Sequence, residues 1–146
     1  MQMFKPAPAD NCTLVGWGVS ALLVSDPAVE GGTASRLSGL GAKVQVEPQL
    51  YNAMAQVLDD PRDVDLFVVD CDMAGGIDAG MRAFGILSEA RLPLPVMLIT
   101  AQCRQQSIPF RRETPFVLRA PVSRVALRIS LEAAFPADRG RHVLAG

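Results

Sequence analysis

Three polar residues stand where apolar runs stop, and each has chemistry to offer. Asp26 closes Leu22-Leu23-Val24-Ser25, Asp70 closes Leu66-Phe67-Val68-Val69, and Thr100 closes Val96-Met97-Leu98-Ile99. Asp72 lies two residues beyond Asp70. Carboxylates accept hydrogen bonds, ligate hard cations and attack electrophiles; a hydroxyl can donate to an oxyanion. These groups make a site only if the chain between them folds so that they meet.

The intervening sequence predicts that they do. Five apolar runs of strand length read as β-structure: Ala21–Val24, Lys43–Glu47, 64–69, Val96–Ile99 and 115–118. Val44 and Val46 alternate with polar neighbours, as on an edge strand, whereas 64–69 is nearly all apolar, as in a central parallel strand covered on both faces. Helix-compatible stretches lie between them at 28–40, 50–58, 81–90 and 123–134, with Ser123 placed as an N-cap. Leu50, Met54, Val57 and Leu58 fall at helical spacing, as do Met81, Phe84 and Leu87, and Val125, Leu127, Ile129 and Leu131 are read as core. Residues 71–80 read as a loop. Pro109 breaks any helix across 101–114. Strands alternating with helices predict a parallel sheet with helices on both faces, and such sheets bind ligands beyond the carboxyl ends of their strands. Asp26, Asp70 and Thr100 then share one rim.

Bulk properties exclude much else. The chain has 146 residues, enough for one domain with a continuous core, and its formal net charge is −1. Residues 101–146 carry a net +5 and residues 1–100 a net −6, so the last third offers a solvated basic face or a docking surface for an acidic partner. The only histidine is His142, which leaves no Ser-His-Asp chemistry and no His-rich metal site. Cys12, Cys71 and Cys103 lack metal spacing and read as reduced thiols of a cytoplasmic protein, with Cys71 a small buried residue. No apolar stretch is long enough to span a bilayer. Gly16-Trp17-Gly18-Val19-Ser20-Ala21 has the spacing of a dinucleotide fingerprint but leads into a strand instead of opening a helix.

The pieces Leu-Leu-Val-Ser-Asp-Pro (22–27), Leu-Phe-Val-Val-Asp-Cys-Asp-Met (66–73), Val-Met-Leu-Ile-Thr-Ala (96–101) and Val-Leu-Arg-Ala-Pro-Val-Ser (117–123) resemble, in order, the motifs of a response-regulator receiver domain of two-component signalling. Their key residues are separated by 44, 30 and 20 positions, spacings typical of receivers. The resemblance implies a flavodoxin-like three-layer sandwich, α/β, with a five-stranded parallel sheet in the order 2-1-3-4-5. It places the receiver-like domain at residues 20–135, between an N-terminal arm and lead-in (1–19) and a tail (136–146). It implies a non-enzymatic phosphorelay component: Asp70 is the phosphoacceptor, Asp26 and Asp70 hold Mg²⁺ together with the backbone carbonyl of Asp72, Thr100 contacts the phosphoryl group, and Ala101 leaves room for it. Partners implied are a histidine kinase or phosphotransfer protein, a downstream protein, or a second copy of the chain. The tail is too short for a helix-turn-helix, so neither nucleic acid nor membrane is expected as a partner of this domain.

The sequence also departs from that pattern. Ser25 stands where receivers carry a first acidic residue, and Ala120 stands where they carry a lysine before Pro121. Arg119 is one position away, and adjacent strand residues point to opposite faces. Ala74 replaces a proline, Gly75-Gly76 lengthens the following loop, and the switch aromatic position falls at Val117. Each lost charge weakens a cation or phosphoryl site. Two readings result: a phosphorylatable regulator with a degenerate pocket, and a phosphorylation-independent pseudo-receiver acting through protein–protein contacts. A third is a flavodoxin-like domain binding a small anion or nucleotide at the same rim.

Overall fold

Five short runs rich in Val, Leu and Ile form five parallel strands, because β-branched and aliphatic side chains pack well on a pleated surface covered from both sides. The computed structural model describes residues 14–28, 32–109 and 114–136. The strands are β1 (Ser20–Val24), β2 (Lys43–Glu47), β3 (Leu66–Asp70), β4 (Val96–Thr100) and β5 (Phe116–Arg119). They form one sheet in the order β2-β1-β3-β4-β5, the predicted topology. The helices are α1 (Thr33–Gly39), α2 (Leu50–Asp59), α3 (Ile77–Glu89) and α4 (Arg124–Ala134). Residues 1–13 of the predicted arm and lead-in, with Cys12, and nearly all of the predicted tail (136–146), with His142, lie outside the described residues.

The strand period of two divides the core into two layers. Ala21, Leu23, Leu66, Val68, Met97, Ile99, Phe116 and Leu118 face Leu37 of α1 and Leu127 and Leu131 of α4. Leu22, Val24, Phe67, Val69, Val96 and Leu98 face Ala53, Met54 and Val57 of α2 and Ala83 and Leu87 of α3. Each central strand is buried on both faces, which is why its sequence is continuously apolar. β2 lies at an edge, with Val44 and Val46 only half-buried.

Several boundaries differ from expectation for local reasons. β3 begins at Leu66 rather than 64, since the 3-10 turn Pro61–Asp63 precedes it. α1 begins at Thr33, and residues 26–28 are not helical. α3 begins at Ile77, four residues inside the predicted loop. Its start follows Gly75 and Gly76, whose φ angles of 108° and 94° favour glycine and turn the chain into the helix. Leu58, Met81, Val125 and Ile129 are exposed rather than core: Leu58 borders the buried side of α2, whereas Met81, Val125 and Ile129 lie on the solvent side of their helices. Ser123 is the N-cap of α4 as expected, its Oγ accepting from Ala126 N at 3.0 Å.

Residues 101–109 form no helix. Ser107 instead makes one antiparallel bridge to Val117 on the outer edge of β5, N–H to O at 2.8 and 3.0 Å. The bridge satisfies backbone groups that an edge strand would otherwise present to solvent. Residues 14–18 turn into β1, so the glycines at 16 and 18 open a strand and not a nucleotide-binding helix.

Candidate functional site

Parallel pairing brings the strand ends to one rim. Val24 lies beside Val69, Asp70 beside Ile99, and Thr100 beside Arg119. Ser25, Asp26, Asp70, Asp72, Thr100 and Ala101 therefore gather at the carboxyl end of the sheet, where an open α/β fold binds ligands.

Asp70 is half-buried and ends the central strand. Ser25, only 3% exposed, donates from Oγ to Asp70 Oδ2 at 3.5 Å. A neutral hydroxyl thus meets the Asp70 carboxylate from the end of β1. The Met73 thioether lies over the same corner, its Sδ 3.8 Å from Ser25 Oγ and accepting from Asp26 N at 3.5 Å. Asp26 turns back on its own loop, with Oδ1 accepting from Ala28 N at 2.9 Å. That contact is an Asx turn; the helix that follows starts only at Thr33.

The loop after β3 folds tightly. Asp70 O accepts from Met73 N, while Cys71 O accepts from Ala74 N and Gly76 N. This aims the Asp72 side chain across the rim at β4. Thr100 Oγ1 donates to Asp72 Oδ1 at 2.7 Å, and Ala101 N donates to Asp72 Oδ2 at 2.8 Å. The resemblance implies a role for the backbone carbonyl of Asp72; the side chain faces the rim as well, and its carboxylate bonds Thr100 and Ala101.

Arg119 points away from the Asp70 rim and is bonded to backbone carbonyls. Its Nε donates to Cys103 O at 2.8 Å and its guanidinium also reaches Arg104 O, on the face opposite that of Ala120. Ala120 packs against the α1 and α4 layer, and the Ala120–Pro121 bond is cis. Cys71, directly after Asp70, is fully buried. Burial pushes its thiol from 9.0 up to about 12, with the carboxylates of Asp72 and Asp70 reinforcing the shift and a backbone hydrogen bond at Ile99 opposing it. α3 lies so close here that a Cβ on Gly80 would sit 2.6 Å from Cys71 Sγ.

The donors do not fit Mg²⁺. A hard cation of that size takes oxygen ligands in octahedral array. Ser25 offers a neutral hydroxyl beside Asp70, one Asp26 oxygen accepts from Ala28 N, a soft thioether contacts both Ser25 and Asp26, and no group of three or more His, Cys, Asp or Glu among the described residues is arranged to hold a metal.

Comparison with solved structures places the architecture. No family model matches the chain, and no curated protein matches its sequence. A response regulator receiver domain protein from Clostridium thermocellum aligns with 86% of this chain and 98% of its own at TM-score 0.65 and 16% identity. A pilus assembly-related protein from Burkholderia pseudomallei aligns over 92% of this chain and 94% of its own at TM-score 0.63 and 20% identity. The anti-anti-sigma factor PhyR from Bartonella quintana aligns over 96% of this chain and 56% of its own at TM-score 0.58 and 18% identity. The chain has the receiver fold.

Proposed function

We propose that the chain is a receiver-like signalling regulator that acts in the cytoplasm as a protein–protein interaction module, without phosphoryl chemistry at Asp70. The supporting observation is the end of β5. Phosphoryl transfer to a carboxylate needs positive charge to offset the incoming group. Ala120 supplies none, and Arg119 is committed to the carbonyls of Cys103 and Arg104. No helix among the described residues is long and apolar enough to cross a membrane. The partner is a downstream protein, and the surface to test first is 101–135, where Val125 and Ile129 are exposed beside Arg124 and Arg128.

A second reading keeps Asp70 as a phosphoacceptor served by a histidine kinase or phosphotransfer protein. Its support is the placement of Asp70 at the end of the central strand, half-buried on the ligand-binding rim. Complementation separates the two. Under the first reading, Asp70→Ala restores the phenotype of a deletion strain as fully as the native chain. Loss of function in Asp70→Ala, with the variant folded, overturns it.

A further inference from the structure

Thr100 Oγ1 and Ala101 N form a two-donor corner that already holds an anion. The hydroxyl is 3% exposed with its residue, and it accepts from Gln102 N at 3.2 Å. A hydroxyl has one proton to give. With Gln102 N–H at its lone pair, that proton is free to go to Asp72, and the 2.7 Å distance is that of a charge-assisted bond. The adjacent amide of Ala101 reaches the second oxygen of the same carboxylate at 2.8 Å. One carboxylate therefore satisfies two consecutive donors, in the bidentate manner in which two oxygens of a free oxyanion would. The positions lie 28 and 29 residues apart, so the clamp ties the loop after β3 to the loop after β4.

We propose that Asp72 is the resident anion of this corner, a positioning residue that holds the loop after β4 in place with the chain's own carboxylate. The inference deepens the phosphorylation-independent reading and rests on it for its biological meaning: no external oxyanion is needed to set the loop. Removing the carboxylate should open the corner to a small tetrahedral oxyanion.

Amide NMR on the full chain tests it, with the native chain, Asp72→Ala and the near-isosteric Asp72→Asn. In Asp72→Ala the Ala101 amide exchanges with solvent at least tenfold faster than in the native chain, and inorganic phosphate shifts the Thr100 and Ala101 resonances saturably. The native chain shows no saturable shift there. Asp72→Asn, which keeps one acceptor, falls between the two in exchange rate and serves if Asp72→Ala does not fold. Equal Ala101 exchange in the native chain and the variants, or saturable movement of Ala101 by phosphate in the native chain, overturns the proposal. This outcome is separable from the fate of Asp70. Phosphorylation of Asp70 would sink the functional reading, whereas the clamp stands or falls on the Ala101 exchange rates.

Discussion

Thr100 and Asp72 are bonded side chain to side chain at 2.7 Å across the carboxyl end of the sheet. The bond joins the last residue of β4 to the loop that follows β3, so the rim is held together by a contact between two of its own polar residues. Thr100→Val keeps the shape and removes the donor. Asp72 is exposed and water can replace the lost bond, so the cost should lie at the low end for a bond to a charged group, about 1.5 kcal/mol. Urea unfolding checks it, and a loss of about 3 kcal/mol or more, the upper end for such a bond, would show that the contact does more than join two loops.

Gly80 is required by proximity. A Cβ there would meet Cys71 Sγ at 2.6 Å and Leu98 Cδ2 at 3.0 Å. Alanine adds roughly 1 kcal/mol of helix propensity, but overpacking costs roughly 1–3 kcal/mol. Gly80→Ala should therefore be net destabilising, and Cys71→Ala in the same background should recover part of the loss. Independent, additive effects in a double-mutant cycle by thermal unfolding would contradict the contact.

Cys71 should make stability fall at alkaline pH. Its folded-state pKa is raised from 9.0 to about 12, so between those values the folded chain keeps a proton that the unfolded chain has released. The contribution is complete below the lower value and declines above it, by up to about 1.4 kcal/mol per pH unit. The difference in unfolding free energy between the native chain and Cys71→Ala isolates this from other groups. Parallel curves across the alkaline range would refute it. The same burial predicts that iodoacetamide modifies Cys71 only after unfolding.

Ser130 is fully buried in α4, and among the described residues its Oγ has no hydrogen-bond partner. Ser130→Ala removes the uncompensated hydroxyl and improves helix propensity, and should stabilise the fold by about 1 kcal/mol. A raised Tm in calorimetry is the expected result; a lowered one would mean the hydroxyl is satisfied in solution.

The sheet was readable because burial on both faces leaves an unbroken apolar run, and the rim because Asp70 and Thr100 punctuate two of those runs. The start of α3 was hidden because Gly80 reads as a loop former, whereas it is there to let the helix approach Cys71 and Leu98. Residues 101–109 were undecided because no local pattern encodes one antiparallel bridge to Val117. Met81 follows helical spacing with Phe84 and Leu87, and Ile129 is apolar like Leu127 and Leu131, but both lie on the solvent side of their helices, which apolar character alone does not reveal. The Asp72–Thr100 bond and the placement of Met73 over Ser25 join residues 28 and 48 positions apart, and only the folded chain brings them together.

In the function proposed above, this receiver fold works without a phosphoryl group on Asp70. Intact mass of the full chain after incubation with Mg²⁺ and millimolar acetyl phosphate tests it directly. The account predicts an unchanged mass and unchanged amide resonances around Asp70. A mass increase of one phosphoryl group that disappears in Asp70→Ala would contradict it.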